Sequence, residues 1–398
     1  MKKTIAIIGS GPAALMLAAT LDESKFEVSI YEQKNTFARK FLVAGDGGFN
    51  LTHSENAADF ILKYTPSIFL KPYFEQFNNQ DLITWLNALG IETYVGSSKR
   101  VFPVKSIKPI HVLTAIIDHL KAKNVAFFPN HTWKGWSEDK GILVQNNTTL
   151  LDVKADIVVF ALGGKSWSIT GSDGSWRNLF QEKNIAVLPF QASNCGYEIA
   201  WNPGILNQIE GKALKNISIT LKGKTVKGEV VLTKFGIEGN AIYALSPEIR
   251  TELKQYQTAS VCVDFKPDLT LENIVEKLQK PYTSSWTDHL VKQLNLTKPQ
   301  LVLLKTYTAK DDFTHIDFLS KIIKNFPLTL LSAAPVDEAI STVGGVSLNE
   351  IDAHFQLHQM PHHYAIGEML DWDAPTGGYL LQACFSMGFC LGNHLNDL

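Results

Sequence analysis

Short apolar runs and turn residues alternate along the first forty positions in a pattern that specifies their structure. Residues 4–8 form a β-branched run stopped by glycine, residues 12–22 repeat apolar side chains at helical spacing, and residues 27–31 are strand-like again. This predicts a β-α-β unit. Leu82, Ile83, Trp85, Leu86 and Leu89 recur on one helical face that stops at Gly90, a residue suited to a left-handed cap. A helix over 111–121 and strands over 125–128 and 157–160 come next. Strand and helix thus alternate to about residue 185, which is the signature of an α/β fold with a mainly parallel sheet.

The period changes near Pro189. Residues 217–221 and 230–233 surround a Lys222-Gly223-Lys224 turn and predict antiparallel hairpins through Phe265. Short helices over 271–326 follow, separated by Pro281, Pro299 and Asp311-Asp312, and glycine-rich, strand-like character returns after Pro335. The expected organisation is one α/β domain made of residues 1–188 and 335–398, interrupted by a β-rich segment, 189–267, and a helical segment, 268–334.

Composition narrows the function classes. The 398 residues are 45% apolar and 19% charged, as in an ordinary globular protein. Lys and Arg number 37 against 39 Asp and Glu, so no global field steers polyanions and a nucleic-acid partner is not expected. Cys195, Cys262, Cys384 and Cys390 form no C-x-x-C pair, which argues against a metal site and a dithiol centre and favours small core residues in a reducing, cytoplasmic compartment. The apolar stretch after Lys2-Lys3 is broken by Gly9-Ser10-Gly11-Pro12, so it is not read as a signal peptide, and no run of about 18 apolar residues predicts a membrane span.

Gly9-Ser10-Gly11-Pro12-Ala13-Ala14 is a G-x-G-x-x-A loop between a strand and a helix, and Glu32 ends the next strand. The first glycine permits the tight turn, and the second lets backbone amides approach a pyrophosphate at the helix N-terminus. The small third residue lets helix and strand pack closely. Glu32 would accept hydrogen bonds from an adenosine ribose, while the uncharged Gln33 gives no reason to expect a 2′-phosphate. Two further segments favour FAD over NAD: Thr149, then a strand ending in Ala161-Leu162-Gly163, and a second strand ending in Gly367-Glu368 after the insertion. No second G-x-G-x-x-G unit offers a dedicated NAD(P)H domain, which leaves transient NAD(P)H binding or reoxidation by oxygen open.

The runs from Arg39-Lys40-Phe41 through Gly45-Asp46-Gly47-Gly48-Phe49-Asn50-Leu51-Thr52-His53, Ala161-Leu162-Gly163-Gly164 with Thr170-Gly171-Ser172-Asp173-Gly174, Thr342-Val343-Gly344-Gly345-Val346, Gly367-Glu368, and Pro375-Thr376-Gly377-Gly378-Tyr379 resemble the YhiN/HI0933-like flavoproteins over the whole chain. The resemblance implies an α/β, Rossmann-like FAD-binding domain of glutathione-reductase type with an inserted substrate domain, and noncovalent FAD. It also implies that Lys40, Gly45, Asn50, Leu51, Asp173 and Tyr379 contact the cofactor along with the glycine loop and strand ends. Gly48 and Phe49 stand where the family pattern has arginine and cysteine, and Lys234 stands where many members carry histidine.

Physically, the loop 45–50 reads either as an ordinary Asp-Gly turn or as a loop passing close to a planar ring, with Asn50 at its polar edge. Gly377-Gly378 opens a C-terminal helix whose positive end would face a flavin where negative charge collects on reduction. Trp133 reads either as core or, by family analogy, as a backbone partner for adenine. His354, His358, His362 and His363 are read as solvated loop histidines. Asp371 and Asp373 are either surface carboxylates or candidates for a proton relay. The expected function is hydride transfer between FAD and a small organic substrate, by amine oxidation or enone reduction. The alternatives are a flavin-dependent RNA-modifying protein, for which Lys212, Lys215, Lys222, Lys224, Lys227 and Lys234 make the insertion locally basic, and a redox carrier without a substrate.

Overall fold

The computed structural model describes residues 1–43, 49–138 and 141–398. They fold as two compact units, Met1–Gln191 with Ile340–Leu398, and Ala192–Ala339. In the first unit, β1 (Lys3–Ile8), β2 (Phe26–Glu32), β3 (Ala126–Pro129), β4 (Ile157–Phe160) and β5 (His363–Ala365) form one sheet in the order β3-β2-β1-β4-β5. Every pair is parallel, with Ile5 opposite both Val28 and Ile157, Ser29 opposite Ala126 and Val158 opposite His363. This is the order of a doubly wound dinucleotide fold, whose direction of winding switches between β1 and β4. The inner strands are apolar nearly throughout because the sheet is covered by helices and by the strand His131–Trp136, whose Trp133 and Trp136 rings pack on Phe160.

The first helix, Pro12–Thr20, buries Ala13 through Ala18, so it is apolar all round rather than amphipathic. The C-terminal helix, Tyr379–Asn396, accounts for this by lying against it. A Cβ on Gly388 would come within 2.3 Å of the Ala13 carbonyl oxygen, and one on Gly392 within 2.6 Å of Thr20 Cβ. Two glycines one helical turn apart therefore let the backbones approach at a distance no larger residue permits.

Strict alternation of strand and helix does not hold in this unit. Two antiparallel sheets lie between β2 and β4 in the chain: Thr52–His53, Arg100–Pro103 and Thr93–Val95, and His131–Trp136, Ile142–Asn146 and Thr149–Val153. Short β-hairpins carry too few residues to outweigh the helical periodicity around them.

The second unit has a six-stranded antiparallel sheet. Its central hairpin, Lys212–Leu221 with Lys224–Leu232, turns at Lys222 (φ +49°) and Gly223 (φ +83°), the left-handed pair that a tight two-residue hairpin requires. The last strand, Phe326–Leu330, follows the helices and pairs with Ala259–Asp264, so strands and helices share one apolar core.

Candidate cofactor site

The loop from β1 to the first helix contains two glycines with different causes. Gly9 adopts φ +101°, and a Cβ there would sit 2.3 Å from the Ala161 carbonyl oxygen, so the turn and the neighbouring strand demand glycine. Gly11 has φ −68° and ψ 177°, which any residue adopts, and a Cβ built on it meets nothing within 4 Å. No protein atom asks for glycine at 11. The free space lies at the start of a helix that has no side-chain cap. A pyrophosphate fits that cradle, since it can approach the bare backbone and accept the uncapped amides.

Glu32 closes the next strand beside this loop. Ser10 Oγ donates to Glu32 Oε2 at 2.6 Å, and the Lys34 amide donates to Oε1 at 2.9 Å. Burial nevertheless pushes the carboxyl above its ordinary value, with these donors acting against the shift. Gln33 Nε2 donates to the Gly171 carbonyl and ties the β2 end to the loop after β4. Lys40 Nζ donates to Ser166 Oγ at 2.6 Å and lies 3.5 Å from Glu368 Oε2, while Glu368 Oε1 accepts the Thr342 amide at 3.3 Å.

These groups line one cleft, with ≈ 1060 Å³ of empty space, whose wall holds Gly9, Ser10, Gly11, Pro12, Ala13, Glu32, Gln33, Lys40, Trp133, Ala161, Gly163, Asp173, Gly367 and Glu368. Tyr31, His131, Thr132, Trp176 and Cys384 join them there without having been singled out. His131 and Thr132 were missed with the strand His131–Trp136. Trp133 lies within that strand, which follows β3 in the chain, and is buried. Cys384 enters because its helix packs on the glycine loop; burial pushes its thiol up to about 12, so it is a packing group rather than a nucleophile.

Other expected residues lie elsewhere. Asn50, Leu51, Gly377, Gly378 and Tyr379 are not in this wall, and Gly45 lies outside the described residues. Leu51 is fully buried core, with its amide on the Val101 carbonyl at 2.8 Å. Phe49, where the family pattern has cysteine, is buried edge-on against Phe41 at 4.8 Å. Gly378 caps the C-terminal helix at φ +100°, and a Cβ there would be 2.5 Å from Thr52 Cα.

Three readings need correction. His363 is not a solvated loop residue: it is buried in β5, with Nδ1 3.0 Å from the Pro361 carbonyl oxygen and its ring stacked on Phe160. His354 is an exposed turn residue as expected, and its ring stacks on that of His394 with centroids 3.8 Å apart. Asp373 is buried rather than on the surface, and its backbone pairs with Thr65 in an isolated antiparallel bridge. Asp371 accepts the Gly344 amide at 3.0 Å. Of the cysteines, Cys262 is only half-buried. No group of three metal-ligating side chains occurs among the described residues, and no helix among them is long and apolar enough to cross a membrane.

Comparison with known proteins agrees with the Rossmann-like fold. The profile described as HI0933-like protein Rossmann domain matches residues 3–394. A 3-dehydro-bile acid delta(4,6)-reductase from Clostridium scindens is 24% identical over 417 aligned positions, covering 98% of each chain. A ribosomal RNA dihydrouridine synthase from Haemophilus influenzae is 24% identical, covering 96% of each. Among solved structures, 3-ketosteroid-delta4-(5alpha)-dehydrogenase from Rhodococcus jostii superposes with a TM-score of 0.51 at 12% identity, over 98% of this chain and 96% of that one, a likeness of fold.

Proposed function

The chain belongs to the family of HI0933-like proteins, which makes it a FAD-dependent oxidoreductase, and we propose that it delivers hydride to a carbon–carbon double bond conjugated with a carbonyl in a small organic molecule. The observation that carries the cofactor reading is Gly11, a glycine whose only use is the space in front of it. The reaction reading is supported by the names of the two relatives, which describe dissimilar molecules and one chemistry, the saturation of a double bond next to a carbonyl.

FAD, bound noncovalently, supplies the hydride from its N5. Residues 9–13 hold its pyrophosphate, Glu32 its ribose and the Trp133 strand its adenine. Lys40 and Glu368 meet the ribityl region. The Gly377-Gly378 turn, outside that wall and at the positive end of the C-terminal helix, would meet the pyrimidine edge of the flavin, where reduction places negative charge. The unit Ala192–Ala339 is assigned to substrate selection, and NAD(P)H to transient delivery of electrons.

The test is anaerobic reduction of the purified holoprotein with NADH or NADPH, followed by mixing with a cyclic enone, a 3-oxo-Δ4 steroid and a primary amine in separate runs. The enone or steroid should reoxidise the flavin and emerge saturated. Reduction of the oxidised flavin by the amine, with both unsaturated ketones leaving reduced flavin untouched, would overturn the reading.

A second substrate class, structured RNA, is favoured by the dihydrouridine synthase relative. Lys222, Lys224 and Lys227 are engaged by Glu252, Glu248 and Asp268, which neutralises half of the basic cluster. Salt-dependent reoxidation of the reduced flavin by a ribosomal RNA fragment would favour RNA over the small molecule.

A further inference from the structure

Beneath the glycine turn of the C-terminal helix lies a half-buried polar cluster that the cofactor cleft does not use. Tyr379, the first residue of that helix, donates its hydroxyl to Glu55 Oε1, and its ring stacks on His53 with centroids 5.2 Å apart and planes at 24°. His53 Nδ1 accepts the Glu55 amide at 3.2 Å and lies 3.8 Å from Glu55 Oε1, while Nε2 faces the Ser98 carbonyl oxygen at 3.2 Å. With Nδ1 taking an N–H, the ring proton sits on Nε2 and the imidazole is neutral. Asn79 Nδ2 donates to the carbonyls of His53 and Glu55 at 2.7 and 3.1 Å and fixes the turn between them. Arg100 is the ladder partner of His53. A Cβ on Gly377 would be 3.2 Å from the Tyr379 ring and 3.4 Å from Arg100 Nε. The cluster and the turn are therefore in direct contact.

We propose that this cluster handles the proton that accompanies electron transfer: His53 Nδ1 takes up one proton from solvent when the bound flavin gains two electrons, and releases it when the flavin is reoxidised. The proposal rests on the reading that the Gly377-Gly378 turn carries the pyrimidine edge of the flavin. Two electrons and one proton convert the oxidised flavin to its anionic reduced form, which adds one negative charge at the turn. The second proton goes to Nδ1, whose new N–H leaves the Glu55 amide and donates to the Glu55 carboxylate. The charge added at the turn is then balanced by one added on the cluster. His53 and Glu55 are each 12% exposed at the side chain, so solvent protons reach them. The groups facing His53 are Glu55 on the following turn, Arg100 on the paired strand, Lys63 and the Tyr379 hydroxyl. Burial, Arg100 and Lys63 hold the imidazole below its ordinary value and Glu55 opposes them, which leaves a neutral ring ready to accept when the negative charge arrives. His53 and Tyr379 are positioning residues here, because neither is placed on the reacting atoms.

The experiment measures the midpoint potential of the FAD-loaded full chain against pH between about 5 and 8, by slow enzymatic reduction beside a reference dye. Wild type should show a segment with the slope of two protons per two electrons. His53→Gln should show half that slope throughout, and Tyr379→Phe should move the pH at which the slope changes while keeping the steep segment. A wild-type slope and break in His53→Gln overturns the proposal, as does an unmoved break in Tyr379→Phe. Arg100→Gln separates this outcome from failure of the site reading. If it lowers the potential at every pH, the flavin lies at the turn and only the proton role has failed; if it leaves the potential unchanged, the flavin lies elsewhere and the site reading falls with it.

Discussion

Ser10 holds Glu32 in place from one side of the cofactor cleft: its hydroxyl donates to Oε2 at 2.6 Å and accepts the Ala38 amide at 2.8 Å. Both Ser10 and Ala38 are buried. Removing the hydroxyl in Ser10→Ala strands an amide and takes a donor from a carboxylate, a loss of about 1–3 kcal/mol. A lower Tm of the cofactor-free protein, measured by calorimetry, is the expected result.

Glu32 itself gives a pH signature. Its carboxyl titrates above the ordinary 4.5 in the folded chain because burial penalises the charge. The folded state therefore binds this proton more tightly than the unfolded state. The contribution to stability is full below pH 4.5 and is lost as pH rises through the raised value. Glu32→Gln should flatten that part of the stability curve and raise Tm at neutral pH in the cofactor-free protein. The same change should weaken FAD binding roughly tenfold, the worth of one hydrogen bond to a charged acceptor. Urea titrations across pH, with flavin fluorescence for affinity, read both effects.

The two loop glycines should fail differently. Gly9→Ala forces a side chain to φ +101° against the Ala161 carbonyl, at a cost on the order of 1–3 kcal/mol from the backbone alone. A Cβ at Gly11 meets no protein atom within 4 Å, so the fold should survive Gly11→Val while FAD occupancy collapses. Circular dichroism and acid release of flavin separate the two, and normal occupancy in Gly11→Val would show that the phosphate binds elsewhere.

Gly388 lies one helical turn beyond Cys384 of the cleft wall and packs against the backbone of the first helix at Ala13. Gly388→Ala puts a methyl group into the backbone of the first helix at Ala13 and Leu17. Overpacking of this kind costs about 1–3 kcal/mol, and because Ala13 lies in the turn that presents amides to the pyrophosphate, FAD affinity should fall with stability. Unchanged affinity with lowered Tm would mean that the first helix absorbs the shift beyond its first turn.

Thiol labelling tests the electrostatics of the core. Burial pushes Cys384 and Cys390 up to about 12, and Cys195 is buried, whereas Cys262 is half-buried on its strand. Iodoacetamide at pH 8 should modify Cys262 first in the native protein, and peptide mass spectrometry gives the order.

The β-α-β unit, the loop glycines, Glu32 and the start of the C-terminal helix were legible in the sequence because each is set by residues close together in the chain. Observed helix and strand ends fall within two residues of the expected ones for the first helix and for β2. His363 and Asp373 were misread because their burial comes from partners far away in the chain, Phe160 and Thr65 respectively. The strand that holds Trp133 was not legible because the hairpin around it is defined by pairing across residues 131–153, not by its own period. The cluster of His53, Glu55 and Tyr379 had no sequence signal, since 324 positions separate Glu55 from the hydroxyl that it accepts.

The packing of Tyr379–Asn396 on Pro12–Thr20 also orders events during synthesis. The first helix is apolar on every side, and the partner that covers it lies at residues 379–396, far later in the chain. β5 arrives in the same late stretch. While Ala192–Ala339 emerges, the glycine loop is already translated and its helix lacks the face that Tyr379–Asn396 later covers. The glycine loop is therefore buttressed only once Tyr379–Asn396 has packed on Pro12–Thr20.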